Sequence, residues 1–341
     1  MALSDFEVRQ TQQSDMHELN SLYHLLTGIE RSSRQFDWEW FDGFEGPAPS
    51  WVIVEKTSNR IAGHHGVIPV PLTFEGKRYR GARTENTMVH PDFRGKFPYH
   101  VVEAQLLKQL LLNYDAIFTT AGKGAQAVVR RRLGYVDAGR WQTNKLFSTT
   151  GYLARRLASK VVQAKPTTGH VVPVPHGDFV VEATDFAEFE IEMNSMPGVP
   201  TQVCIANDTA YFRWRLSMHP YGPRQVGVFS CSGSRAVAAW TSERRAGAVS
   251  ISLEHFACSS MEHEIAATML RKLCRSFALT APVSVYLRCV ENAGFLSTVA
   301  KHLSAMSNSK QDGGNARLLV RSDRLADGVI WNASAMLMQG V

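Results

Sequence analysis

Apolar and polar positions alternate with changing period along the 341-residue chain, and each change predicts an element. Residues 6–12 alternate as a short strand. Ser14 and Asp15 stand where a helix cap belongs, ahead of Met16, Leu19, Leu22, Tyr23, Leu25 and Leu26 at helical spacing. A short second helix carries Phe36, Trp38, Trp40 and Phe41, and Gly46-Pro47-Ala48-Pro49 breaks it. Strands at 51–55, at 61–74 and up to His90 are separated by turns at Thr57-Ser58-Asn59 and Glu75-Gly76-Lys77, an antiparallel meander. A helix from Tyr99 to about Leu112 presents a broad apolar face of Val101, Val102, Leu106, Leu107, Leu110 and Leu111. Residues 115–121 form a compact strand, parallel to the one before and joined to it by that helix. A helix over 124–133 ends at Gly134-Tyr135, and strand pattern resumes from Val136 to Leu146.

The second half starts again after a polar, Pro-containing stretch over 162–176. Strand pattern at 179–182 and helical pattern at 185–193 lead to a Trp-containing helix at 210–216, broken by Pro220-Tyr221-Gly222-Pro223. Strands are predicted from Val226, over 248–254, 283–287, 318–321 and 329–331, with helices over 261–277 and 293–303. Residues 307–315 are polar and Gly-rich and read as a mobile loop. The order copies the first half. Trp40 is followed by a Pro break, a strand from Val52, the turn Thr57-Ser58-Asn59 and Arg60-Ile61-Ala62. Trp214 is followed by a Pro break, a strand from Val226, the turn Ser232-Gly233-Ser234 and Arg235-Ala236-Val237. We read an internal duplication, with domains at 1–150 and 177–341 and a linker over 151–176.

Composition narrows the picture little. A chain that is 44% hydrophobic and 20% charged has material for large cores, and its length favours two of them. The formal charge of +6 suits an anionic ligand, but no long Lys/Arg tract marks a nucleic-acid arm; the one compact cluster is Arg130-Arg131-Arg132. Five cysteines, Cys204, Cys231, Cys258, Cys274 and Cys289, show no C-x-x-C spacing, which predicts reduced, buried thiols and no metal site. Residues 1–9 carry neither a basic nor an apolar leader pattern and no apolar run approaches a membrane span, so the expected location is the cytoplasm. No Ser-His-Asp spacing, H-E-x-x-H or Walker A loop occurs.

The richest stretch runs from Thr84 to Tyr99. A strand gives way to a basic turn with glycine, and a helix opens at that turn, which aims free backbone N–H groups and a positive helix end at one point. Val89-His90-Pro91-Asp92-Phe93-Arg94-Gly95-Lys96 resembles the pyrophosphate-loop motif of the GNAT superfamily of acyl-CoA-dependent N-acyltransferases, and Leu133-Gly134-Tyr135 resembles the ending of that family's last helix. The likeness covers residues 5–148, and the helix with Trp38 and Trp40 matches bacterial members. It implies an α/β (α+β) fold of two tandem GNAT-like domains, each a mixed, mostly antiparallel sheet flanked by helices. Two departures stand out. The later loop glycines are replaced by Phe97 and Tyr99. The family's general-acid tyrosine, four residues before the Gly-aromatic pair, is replaced by Arg130.

The resemblance implies an acyltransferase moving an acyl group, in the first instance acetyl, from acyl-CoA to a primary amine of a small metabolite or amino sugar by direct attack. Such transfer needs a base for the ammonium, donors for the oxyanion and an acid for the thiolate. Glu85 is the candidate base or an ordinary paired strand glutamate; His90 is a second base candidate or an end-of-strand residue. Met88, Val89, Arg94, Gly95, Lys96, Phe97 and Tyr99 would hold the donor with Thr119, Thr120 and Arg130. His64 and Trp40 are substrate-side candidates. His64 and His65 are adjacent on a strand and point to opposite faces, which argues against a shared metal. The second copy lacks a phosphate loop between His255 and Met261 and would serve the acceptor side or structure. Other readings stay open: a non-catalytic binding or scaffold protein, or transfer from an acyl carrier protein or an aminoacyl-tRNA. DNA and membrane partners are not expected, and a homodimer is left open.

Overall fold

The computed structural model describes residues 3–96, 98–121, 125–161, 167–292, 294–305, 312–325 and 328–334. Phe97, Gly124, 162–166 of the predicted linker and 307–311 of the predicted mobile loop lie outside them. The chain forms two compact units. The first comprises Met1–Pro71, Tyr79–Asp137 and Leu319–Asp327; the second comprises Leu72–Arg78, Ala138–Leu318 and Gly328–Val341. The units part between Asp137 and Ala138, inside a strand, where the sequence pattern placed its boundary after 150.

Elements of the first unit follow the order β1 (Phe6–Gln10), α1 (Met16–Thr27), α2 (Ser33–Trp40), β2 (Ser50–Glu55), β3 (Ile61–Phe74), β4 (Lys77–Val89), α3 (Tyr99–Asn113), β5 (Ala116–Ala121) and α4 (Ala125–Arg132). α1 stops at Gly28, whose φ of 73° closes a left-handed cap. α2 starts at a capping box in which Ser32 and Gln35 exchange hydrogen bonds. β1 and β2 pair antiparallel, as do β2 and β3, whereas β4 and β5 pair parallel, as the intervening helix requires. The core lies on both sides of α3. Val67, Ala82, Leu107, Leu110, Ile117 and Tyr135 form one cluster, and Phe6, Ile53, Ala62, Phe93, Val102 and Leu106 another. A late segment completes this unit. Leu319 joins the first cluster, and the Ser322 hydroxyl donates to the Asp115 carbonyl at 2.6 Å.

The second unit continues with β6 (Val136–Ser148), α5 (Thr150–Val161), β7 (Thr167–Thr168), β8 (Val180–Ala183), α6 (Phe186–Ser195), β9 (Gln202–Ile205), α7 (Thr209–Phe212), β10 (Gln225–Cys231), β11 (Ser234–Arg245), β12 (Ala248–Cys258), α8 (His263–Ala278), β13 (Val283–Glu291), α9 (Phe295–Ala305), β14 (Asp312–Ser322) and β15 (Ile330–Trp331). Its strands neighbour in the order β6-β13-β12-β11-β10-β8. The pairs are antiparallel except β12 with β13. Leu253, Phe256, Leu270, Leu273, Phe277 and Val285 anchor one continuous core between sheet and helices. The Trp helix read at 210–216 is α7 running into a π-helical turn over Arg213–Ser217. Arg215 within it and His219 just after it are both 1% exposed. The stretch read as linker opens with helix α5, and the stretch read as mobile loop is strand from Asp312. Among the described residues no helix is long and apolar enough to cross a membrane.

Candidate functional site

β4 and β5 stay in register only from Gly81 opposite Ala116 to Arg83 opposite Phe118. β4 continues to Val89 and β5 to Ala121. Beyond Arg83 and Phe118 the two strands no longer pair. This opens a slot flanked by Thr84–Val89 on one side and by Thr119 and Thr120 on the other. Thr119 is buried, Thr120 half-buried, Met88 buried and Val89 half-buried. β4 is also bent at Asn86, a non-glycine residue with φ of 47°. A left-handed residue inside a strand re-aims its neighbours, and asparagine tolerates that conformation better than most.

Immediately past β4, Pro91–Phe93 forms a single 3-10 turn, with the Asp92 N–H donating to His90 Nδ1 at 3.2 Å. Arg60 lies 3.4 Å from His90 Nε2, which carries the ring proton when Nδ1 accepts, so this contact is not a hydrogen bond. Gly95 follows with φ of 74° and open space where a Cβ would stand, so its backbone angle, not crowding, selects glycine. Arg94 and Lys96 are exposed, and no hydrogen bond or ion pair to their side chains is found among the described residues. α3 begins behind Pro98 without a side-chain cap, which leaves first-turn N–H groups open beside these two cations.

Behind the slot lies a buried polar network. Arg130, four residues before Gly134, does not reach toward the turn. Its Nε pairs with Glu103 at 2.7 Å, and its two terminal nitrogens donate to Thr84 Oγ1 at 2.7 Å and Thr87 Oγ1 at 3.1 Å. Tyr135 lies under the same guanidinium, 5.6 Å from ring centroid to Cζ, and belongs to the core. The Tyr99 hydroxyl is 2.8 Å from His65 Nδ1. Burial raises the Tyr99 phenol, and neighbouring Glu103 raises it further. Burial, then Arg130, holds His65 well below its ordinary range. His65 is therefore neutral and Tyr99 protonated at neutral pH.

His64 turns the opposite way, as strand alternation requires. Its Nδ1 lies 2.8 Å from the Asn86 carbonyl oxygen, so the ring donates from that nitrogen. Its pKa is pushed down to about 4 by burial. Trp40 stacks edge-on against it at 5.0 Å and lies over Gly66, where an added Cβ would come within 2.4 Å of the indole. Both are 1% exposed. Glu39, which the sequence pattern did not single out, accepts from Arg31 at 2.7 Å and from the Asn86 side chain at 2.9 Å. Burial pushes its carboxyl up to about 7 despite Arg31. Glu85 pairs with Arg83 at 3.1 Å and keeps partial exposure.

The structure thus brings Glu85, Met88, Val89, His90, Arg94, Gly95, Lys96 and Tyr99 along one strand–turn–helix run, with Thr119 and Thr120 across the slot. It places Arg130, His64 and Trp40 in the interior behind it. Glu39, Asn86, Glu103, Thr84 and Thr87 are the members sequence reasoning missed, and His65, weighed there only beside His64, joins them. Only Asn86 carried a usable signal, as an asparagine in an otherwise strand-like run. No group of three or more metal-ligating side chains is found among the described residues.

No family model and no curated relative matches the sequence. Among solved structures, a probable N-acyltransferase from Enterococcus faecalis superposes with a TM-score of 0.59 at 13% identity, covering 93% of this chain and 72% of that one. A GCN5-related N-acetyltransferase from Anabaena variabilis gives 0.61 at 11%, with the same coverages of 93% and 72%. N-myristoyltransferase of Saccharomyces cerevisiae, crystallised with myristoyl-CoA, gives 0.55 at 10%, covering 98% and 84%. At such identities the likeness is one of fold, and it agrees with the motif: this chain has the GNAT fold.

Proposed function

We propose that the protein is an N-acyltransferase that takes an acyl group from acyl-CoA and passes it to a primary amine by direct attack. The observation that carries this reading is the opening between β4 and β5, followed at once by the exposed Arg94-Gly95-Lys96 turn before α3. A pantetheine arm is extended and amide-rich, and unpaired strand edges offer it hydrogen bonds. Arg94 and Lys96 with the α3 amides would hold the phosphates. Glu85 would receive the ammonium proton, whereas His90, whose Nδ1 accepts from the Asp92 N–H, would hold the turn. With Arg130 tied to Glu103, the proton donor to the departing thiolate falls to the Tyr99 phenol, kept protonated by burial. The acceptor is a small amine, and the protein works in the cytoplasm.

Thermal shift with acetyl-CoA, longer acyl-CoAs and desulfo controls tests donor binding. Thiol release in the presence of candidate amines tests turnover. Stabilisation by acyl-CoA that is lost in Arg94→Ala supports the reading; no stabilisation by any acyl-CoA overturns it. The buried, fully engaged Arg130 in the acid's place favours one second reading, a protein that binds acyl-CoA without transferring it. Donor binding with no thiol release from any amine would select that reading.

A further inference from the structure

The second unit holds a cluster of reactive side chains that acyl transfer does not use. Cys231 ends β10, directly before the turn at Ser232, whose φ is 49°. Lys272 projects from α8, and its Nζ lies 2.9 Å from Cys231 Sγ. Other N–H···S contacts in the same unit are longer, 3.4 Å for Asn144 to Cys289 and 3.7 Å for Asn332 to Cys204. Asp178 touches both partners: Cys231 donates to its Oδ2 at 3.2 Å, and Lys272 pairs with its Oδ1. Ser232 donates to the same Oδ2 at 2.6 Å. A groove of about 290 Å³ gives access, lined by Cys231, Ser232 and Ser234 on one side and by Glu264, Thr268 and Met269 of α8 on the other.

This grouping supplies what an oxidisable thiol needs. The sulfur lies within hydrogen-bond reach of a carboxylate and of an ammonium, and the groove admits a small oxidant. It also sets an amine close enough to sulfur for one atom to join them. We propose that Cys231 and Lys272 form an oxidation site at which hydrogen peroxide installs a single oxygen between sulfur and nitrogen, a covalent N–O–S link. One peroxide oxidises the thiol to sulfenic acid: S–O forms, O–O breaks and water leaves. A second oxidises the Lys272 amine to the hydroxylamine after its proton is lost to solvent: N–O forms, O–O breaks and water leaves. Condensation of the two joins sulfur to the hydroxylamine oxygen and expels a third water. Thiol, amine and two peroxides give the link and three waters. Asp178 holds the Lys272 ammonium above its ordinary range, so the amine is charged at rest and reacts only once that proton is lost. The other four thiols are raised by burial and serve as internal controls.

The full-length protein is treated with hydrogen peroxide, digested without reductant and analysed by mass spectrometry. The expected product joins the Cys231 and Lys272 peptides with a mass gain of one oxygen less two hydrogens. Dithiothreitol separates them again. Cys231→Ser and Lys272→Arg abolish the product, the arginine retaining the contact with Asp178. The link closes a 41-residue separation, so the oxidised protein melts higher and loses the gain on reduction. Two results overturn the proposal: oxidation of Cys231 to sulfinic or sulfonic acid with Lys272 unmodified, or another thiol reacting before Cys231. Neither depends on acyl transfer, so the outcome stands apart from the reading above.

Discussion

Replacing Arg130 by methionine should be the most damaging single change in the first unit, and the reason lies in Glu103. The two side chains are 5% and 4% exposed and pair at 2.7 Å. Removing the cation leaves a carboxylate in the interior without its charge partner and strips Thr84 and Thr87 of a donor. Breaking a buried pair from one side costs about 3–5 kcal/mol. At 2–4 °C per kcal/mol for units of this size, the melting temperature should fall by on the order of 10 °C. Protonation of Glu103 offers relief. Burial already raises its pKa, with Arg130 opposing that rise, so the variant's folded pKa climbs further. A carboxyl whose folded pKa exceeds its unfolded one takes up a proton on folding. The stability of Arg130→Met therefore increases as pH falls through the folded pKa and is lost as pH rises above the ordinary carboxyl range. Melting curves from pH 5 to 8.5 should show a steep decline for Arg130→Met. The double variant Arg130→Met/Glu103→Gln, which removes the charge, should be flatter and regain most of the loss. A single variant that melts within about 1 kcal/mol of the wild type, or a double variant no more stable than the single, would refute the reasoning.

Other consequences can be checked alongside it. Gly66→Ala would set a Cβ 2.4 Å from the Trp40 ring, and differential scanning fluorimetry should register an overpacking cost of about 1–3 kcal/mol; an unchanged melting point would show that α2 yields. Asn86→Ala keeps the 47° φ but loses the bond to Glu39, and should lower stability by about 2 kcal/mol from the left-handed strain and the lost bond together. The Glu39 carboxyl, raised to about 7 by burial, makes stability fall as pH rises from the ordinary carboxyl range through 7; Glu39→Gln should remove that slope in urea titrations at pH 5, 6 and 7.5. Arg94→Ala should leave the melting temperature of the free protein unchanged yet weaken acyl-CoA binding by isothermal titration, by roughly 1.5–3 kcal/mol for one charge-assisted contact.

Period and punctuation carried most of the first unit. The meander, the apolar face of α3 and the Gly134 stop were legible because each is decided by side chains close in sequence. Elements decided elsewhere were not. α5 exposes Leu153 and Leu157, so its apolar face announced no core. β14 begins in a Gly-rich polar run where backbone pairing, not side-chain alternation, makes the strand. The same division holds at the site. Arg94, Gly95 and Lys96 were legible because a turn, a left-handed residue and a helix start are local events. Glu39, Glu103 and Arg130 take their character from burial and from partners supplied by other elements. In sequence, Glu39 is a glutamate between tryptophans; folded, it is a desolvated carboxyl beside a bent strand.

The unit-by-unit geometry sharpens where function is encoded. In the second unit β12 and β13 also pair parallel and also stop early, at Leu253 opposite Leu287, although β12 runs on to Cys258 and β13 to Glu291. β12 is bulged there, with Trp240 opposite Leu253 and Ala239 opposite His255, so Glu254 has no partner across the strand. A bent or bulged strand, a parallel neighbour that parts from it and a following helix therefore occur in both units. What differs is the connection. Between β4 and α3 stand two exposed cations around a glycine with a positive φ; between β12 and α8 stand Ser259, Ser260, Met261 and Glu262, with an acidic residue at the cap of α8. A negative charge at that helix end competes with any phosphate for the same amides. Each unit thus has such an opening, and on the proposed reading the few residues joining strand to helix would decide which of them holds an anion. Grafting the Arg94–Lys96 sequence in place of 259–261, with Glu262→Ser, would test this directly. Phosphate or CoA binding gained by the second unit would confirm that the connection alone sets the asymmetry. A graft that folds and binds neither would place the determinant in the slot itself.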